Sequence, residues 1–320
     1  MVRFVVISIV LLCANLVGPA CPAANQPFVV DSLLDGVWLF RAPEHPSTHT
    51  NSLVIERDAG LFVVESQPSP EAAHDLLRAI AEVSKKPVQY LLLPHAHVES
   101  TGGVAAFPES TLVIASPITH DSLNDESADL GREMRLRAPD PDVWTAPPRM
   151  HPELIISAGT RLIDGKHVIE MLPLHGGHFP GTLIVRIETE GFYYVGPVVA
   201  TNRNPFADVE HTDLRAWVSS LNGLSLLRPE MVVPLRGEPI DADALRRFRD
   251  SITWVVGQVE NAFIEGIPAD EVVEFAMDSP KLAEYFDLAA EPSFVTTLFE
   301  TARKGALAQR RKREITPSRR

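Results

Sequence analysis

Two histidines one residue apart, His95 and His97, follow directly on a short apolar run, Tyr90 to Leu93, that stops at Pro94. The run reads as a buried strand ended by the proline. Side chains at i and i+2 of an extended segment project the same way, so both imidazoles can reach one metal ion. Gly102-Gly103 and a run of small residues follow, predicting the start of a packed helix. A His-x-His also arises by chance, so the pair alone leaves two readings open: metal ligands or incidental histidines.

The elements that must position this pair are legible from periodicity and turn signals. Gly36–Phe40 and Ser52–Ser66 read as strands of a meander, with Asp58-Ala59-Gly60 as a turn. Ser69-Pro70-Glu71 marks a helix start, after which Ala73, Leu76, Leu77, Ile80 and Val83 form a core-facing stripe. Further strands are expected at Thr111–Ala115, Arg161–Ile163, His167–Leu172, Leu183–Ile187, Phe192–Val195 and Met231–Pro234. A charged helical segment from Asp121 to about Arg137 and a Pro-rich loop, Pro139 to Pro148, interrupt them. A capped helix begins at Thr212, and the chain from Asp241 onward is helical. Strands then helix, twice over, fit an α/β sandwich of two sheets flanked by helices.

With 320 residues and 45% hydrophobic content, the chain can bury one large core or two smaller ones. Residues 303–320 hold eight Lys/Arg against the single acid Glu314, and removing this +7 from the formal −13 leaves −20 on the body. Such a body excludes nucleic-acid binding by the folded part, and the basic end reads as a solvated tail. Arg3 followed by Phe4 to Gly18 has the length of a signal-peptide core and is short for a membrane span. Cleavage near Ala20 to Ala24 would give a periplasmic or secreted protein with no membrane span; an uncleaved anchor, or a lipid on Cys21, is the other reading. The two cysteines, Cys13 and Cys21, both lie in this leader, so the mature domain offers no disulfide and no thiolate ligand.

The motifs in this order resemble the metallo-β-lactamase-fold family over roughly Gly36 to Asp250. That family carries His-x-His-x-Asp-His after a strand, usually followed by Gly-Gly. Here the stretch is His95-Ala96-His97-Val98-Glu99-Ser100, then Gly102-Gly103. Its next ligand is the His of a His-Thr-x-Gly turn before a hairpin, matched by His178-Phe179-Pro180-Gly181; His175 is a rival at the wrong distance. The family then has Gly-Asp, whose carboxylate bridges two metals, where this chain has Gly196-Pro197. Its last histidine, in Val-Val-Pro-Gly-His-Gly, falls on Arg236 of Val232-Val233-Pro234-Leu235-Arg236-Gly237. The leader and helical C-terminus resemble secreted members found near quinoprotein dehydrogenases.

The resemblance implies an α/β fold, an αββα four-layer sandwich of the metallo-β-lactamase type with a helical C-terminal extension. Its divisions would be a signal peptide (1–24), a metallo-β-lactamase-like domain (25–250), the helical extension (251–308) and a basic disordered tail (309–320). His95, His97 and His178 would hold one zinc ion per chain, with a water completing a tetrahedral site. Ser100, Pro197 and Arg236 stand in place of second-site ligands. Proline offers no donor and arginine brings a positive charge, so no second metal is expected. Glu99 would orient the water or shuttle its proton. A Glu99–Arg236 ion pair in place of the second metal is expected, arginine's fork suiting a carboxylate; the alternative turns Arg236 to solvent and puts Glu99 on a backbone amide.

Two function classes follow. In one, zinc-bound hydroxide attacks an ester, lactone or amide carbonyl of a small-molecule substrate. In the other, the histidines are a relic and a catalytically reduced member binds a small molecule or a periplasmic partner, such as a redox protein. Glu65-Ser66, where the family has Asp-Thr, is expected to brace the loop by hydrogen bonds. His45 and His49 read as surface-loop histidines or as residues overhanging a site, His120, His151, His167 and His211 as surface or satisfied core histidines, and Trp144 as a candidate substrate contact.

Overall fold

A computed structural model describes residues 27–42, 49–124, 151–163, 165–174, 176–188, 190–201, 205, 207, 209, 211–289 and 292–315. The leader, His45, Trp144, His175 and most of the charged segment and Pro-rich loop lie outside these residues.

The strands form two sheets, and in each the spatial order follows the chain. The first runs β1 (Val29–Leu34), β2 (Val37–Arg41), β3 (Ser52–Glu56), β4 (Leu61–Val64), β5 (Val88–Leu92), β6 (Leu112–Ala115) and β7 (Leu154–Ile155). It is an antiparallel meander up to β4 and parallel thereafter. The second comprises β8 (Thr160–Leu162), β9 (Ile169–Pro173), β10 (Leu183–Ile187), β11 (Phe192–Gly196) and β12 (Met231–Pro234). Only its β11–β12 pair is parallel.

Alternation along the strands builds the layers. On β4, Phe62 and Val64 point into the core between the sheets, while Leu61 and Val63 pack under α1 (Pro70–Val83). On β11, Tyr194 faces the inter-sheet core, whereas Tyr193 and Val195 face the helices on the far side. The Ser69 side chain caps α1 by accepting from Ala72 N, and Ala73, Leu76 and Ile80 form its buried face. The far side carries α4 (Leu214–Leu226), α5 (Ala242–Ile264), α6 (Val272–Met277), α7 (Leu282–Tyr285) and α8 (Pro292–Ile315). The fold is therefore the expected four-layer αββα sandwich with a helical C-terminal part.

Three expectations need correction. β1 and β7 are edge strands that the sequence signals did not mark; their residues are exposed or half-buried, so no clean alternation shows. The helix expected after Gly102-Gly103 lies before them instead, as the single turn α2 (Val98–Thr101), and only a 3-10 turn, Val104–Ala106, follows. Of the charged segment only residues 121–124 are described, and these are helical, as part of α3 (Pro117–Asn124). Finally, α5 runs through the expected boundary at residue 250, and residues 309–315 continue α8 rather than starting a disordered tail. Val295, Leu298, Phe299 and Ala302 of α8 share one core with Ile184, Tyr193 and Val232 of the second sheet, so the extension is the outer layer of the sandwich.

Candidate metal centre

The site sits where β5 leaves the first sheet and β10 enters the second. The carbonyl of Pro94 accepts from Leu183 N at 2.9 Å, tying the two sheets together there. His95 and His97 follow in the loop, and His97 is the extended residue before α2. Thr101 Oγ1 donates to the His97 carbonyl at 3.1 Å, holding that turn closed. Gly102 and Gly103 let α2 lie against the 65–68 loop: a Cβ there would stand 2.1 Å from Pro68 O and 2.0 Å from Ser66 O. His178 comes from the β9–β10 loop, where Thr212 Oγ1 donates to its carbonyl at 2.8 Å and Thr182 Oγ1 to that of Phe179 at 2.7 Å.

The structure brings His95, His97, Glu99 and His178 together, one donor atom of each lying within 4.8 Å of the others. His97 Nδ1 is 2.9 Å from His178 Nε2, and Glu99 Oε1 is 3.5 Å from His95 Nε2 and 3.7 Å from His97 Nδ1. The His95 and His178 rings are 5.5 Å apart, centre to centre. Ligand bonds of 2.0–2.1 Å to a tetrahedral zinc put donors about 3.3 Å apart, so the cluster has the size of a single-ion site. All three histidines are buried, and His95 Nδ1 has no hydrogen-bond partner among the described residues. Burial holds the His95 imidazolium's pKa down against the opposing pull of Glu99, favouring the neutral ring a metal needs. Burial pushes the Glu99 carboxyl up, but hydrogen bonds and charge from His95 and His97 outweigh it and hold it well below the usual carboxylate range. Three imidazoles and one carboxylate suit a divalent cation.

The second-site positions are filled by protein. Ser100 Oγ donates to Glu65 Oε2, and Ser66 Oγ donates to the Ser100 carbonyl at 2.8 Å, the bracing expected of Glu65-Ser66. Pro197 lies in the turn after β11. Arg236 lies after β12 in a segment gripped by Asn51, whose Nδ2 donates to the Pro234 and Gly237 carbonyls at 2.9 Å each. His95 and His97 act on the Glu99 carboxylate, and the charge of Arg236 acts on Glu65 and Tyr194.

Phe179, which the sequence marks only as the neighbour of His178, and Trp217 wall the cluster. The Phe179 ring is 5.0 Å from His97 and the Trp217 ring 6.3 Å from His178. Position next to His178 was the one signal for Phe179. The other described histidines stay apart from the four donors: His49 bonds Asp75 at 3.1 Å, His167 bonds the Asp35 carbonyl at 2.8 Å, His120 bonds Asp121 at 3.1 Å, and His151 is exposed. His211 is exposed with its ring 5.5 Å from Phe179, at the rim of the site.

Residues 46–235, more than half of the chain, match the family described as the metallo-beta-lactamase superfamily. A linear primary-alkylsulfatase of Pseudomonas sp. (strain ATCC 19151) is 22% identical over 268 residues, 72% of this chain and 51% of its own. Among solved structures, a metallo-beta-lactamase from Pontibacter korlensis superposes with a TM-score of 0.58 at 18% identity, over 71% of this chain and 99% of that one. A stereoselective inverting sec-alkylsulfatase from Pseudomonas sp. superposes with a TM-score of 0.66 at 14% identity, over 87% of this chain and 50% of that one. The chain thus spans about half the length of both alkylsulfatases.

Proposed function

Because this chain belongs to the metallo-beta-lactamase superfamily, a family of hydrolases, we propose that it hydrolyses a small-molecule ester, lactone or amide with one zinc ion held by His95, His97 and His178. The observation that carries this reading is the convergence of three imidazoles from two sheets on one point. Zinc at such a point supplies Lewis acidity and makes water a nucleophile near neutral pH. The chain's own groups do the rest. Glu99, held ionised, orients the water and accepts its proton at Oε1. Phe179 and Trp217 shield the imidazoles from bulk water, and the sheet-to-sheet tie at Pro94 fixes the ligand spacing.

One observation favours a second reading, a sulfate ester in place of a carbonyl compound. The likeness to the sec-alkylsulfatase reaches 87% of the chain, against 71% for the lactamase. Zinc-loaded protein tested on an activated acetate ester, a lactone, a β-lactam and an alkyl sulfate separates the readings. Turnover of a carbonyl substrate, lost in Glu99→Gln, is expected. Turnover of the alkyl sulfate alone selects the second reading. Zinc binding without turnover of any of them selects the reduced binding protein, serving a periplasmic partner such as a redox system.

The compartment we propose is the periplasm or the exterior, from the leader's composition. No described helix is long and apolar enough to cross a membrane. Mass spectrometry of the native protein should show loss of the segment up to about Ala24; an intact Met1 on cytoplasmic protein overturns this.

A further inference from the structure

Glu65 is a fully buried carboxyl group to which the reading above gives no part. It sits just past β4 with φ at 76°, a left-handed conformation rare outside glycine. Its Oε2 accepts from Ser100 Oγ, and its Oε1 is 3.2 Å from the Tyr194 hydroxyl. That hydroxyl is also 2.8 Å from the Asn51 carbonyl oxygen.

The protons can be counted. A carbonyl oxygen only accepts, so the Asn51 contact takes the single phenolic proton of Tyr194. The contact between Tyr194 and Glu65 then lacks a proton unless the carboxyl supplies one. We infer that Glu65 is a neutral carboxylic acid donating to the Tyr194 oxygen, and that it is a positioning residue for the metal centre.

Its connections show what it positions. Ser100 belongs to α2, one residue after Glu99 and three after His97. Tyr194 belongs to β11 of the second sheet. Asn51 N donates to the Leu235 carbonyl at 2.8 Å, and its side chain grips Pro234 and Gly237. One line of donors, from Ser100 through Glu65 and Tyr194 to the Asn51 backbone, therefore joins the turn that bears His97 and Glu99 to the opposite sheet and to the loop of Arg236. A left-handed non-glycine residue is strained and persists only where its surroundings fix it.

The charged and titratable groups acting on Glu65 are Glu99, Tyr194 and Arg236. Burial is the largest influence, and with Glu99 it outweighs the hydrogen bonds and Arg236, pushing the carboxyl up to about 8. Ionisation would leave two acceptor oxygens face to face in a dry interior and add a negative charge beside Glu99.

The positioning role rests on the proposed metal site; the protonation does not, and the experiment separates them. Infrared difference spectra of the metal-free protein between about pH 6 and about pH 10 should show a protonated-carboxyl band that is absent in Glu65→Gln. A wild-type spectrum without that band at the lower pH overturns the neutral acid. Zinc alone then probes positioning. Glu65→Gln, whose amide donates to Tyr194 and accepts from Ser100, should bind zinc as wild type does, whereas Glu65→Ala should bind about 10–100-fold more weakly. Equal affinity in the Ala variant overturns the role. If that variant does not fold, Tyr194→Phe takes its place, with weakened zinc binding expected and unchanged affinity overturning the role. Wild-type protein that binds no zinc overturns the metal reading and the positioning role together, while the infrared band still decides the protonation.

Discussion

His97 Nδ1 and His178 Nε2 lie 2.9 Å apart although 81 positions separate them in the chain. At that distance one nitrogen must donate a proton to the other, and an ion that takes both lone pairs must displace it. Zinc titration of the wild-type protein is therefore expected to show one ion per chain. His97→Ala and His178→Ala should each lose more affinity than the ~10–100-fold typical of an outer-shell partner. Unaltered binding in either variant removes that residue from the ligand set.

Acid should strip the site. The folded pKa of His95 is lowered below 6.5, mainly by burial. The unfolded chain thus takes up this proton at a higher pH than the folded one. The stability tied to the neutral ring is present above pH 6.5 and is lost as pH falls toward the folded value. Zinc needs the same neutral ring, so its affinity should be flat above that pH and fall below it. Calorimetric titrations at several pH values check the sign, and tighter binding in acid would contradict the assignment.

Glu99→Gln keeps the side-chain volume but removes the ionised acceptor. Zinc stoichiometry should stay at one ion per chain while kcat falls by about 10²–10⁴ with KM little changed. Steady-state kinetics beside metal analysis read both quantities. An undiminished kcat means that another group accepts the proton.

Two glycines should respond in opposite directions. A methyl group on Gly103 would meet Ser66 O at 2.0 Å and Ala73 Cβ at 2.7 Å, so Gly103→Ala should destabilise by about 1–3 kcal/mol and loosen the turn carrying His97. Gly305 lies within α8 with nothing within 4 Å of such a methyl, so Gly305→Ala should stabilise by up to about 1 kcal/mol. Denaturant unfolding of the two variants measures both, and a shared sign would count against the packing described.

The part of the site legible in the sequence was the part written in short-range order. Tyr90 to Leu93, Pro94 and the His-x-His pair sit within one stretch, and His178 was found because a turn and a hairpin follow it in register. Glu65 was legible as a residue bracing the loop, but not as a link between the sheets. Its significance depends on Tyr194 and Asn51, which come from different strands and meet only once the sheets pack. The edge strands β1 and β7 were missed because a strand without a fully buried face leaves no clean alternation.

The order of strands in space gives synthesis a direction. The first sheet is complete at Ile155, and the second begins at Thr160. As the chain leaves the ribosome, His95 and His97 are made well before His178, so a nascent chain can offer an ion at most two of the three imidazoles. The third arrives only when β9 and β10 dock and Leu183 N finds the Pro94 carbonyl. A site of three imidazoles is therefore complete only once both halves of the sandwich have been made and have met.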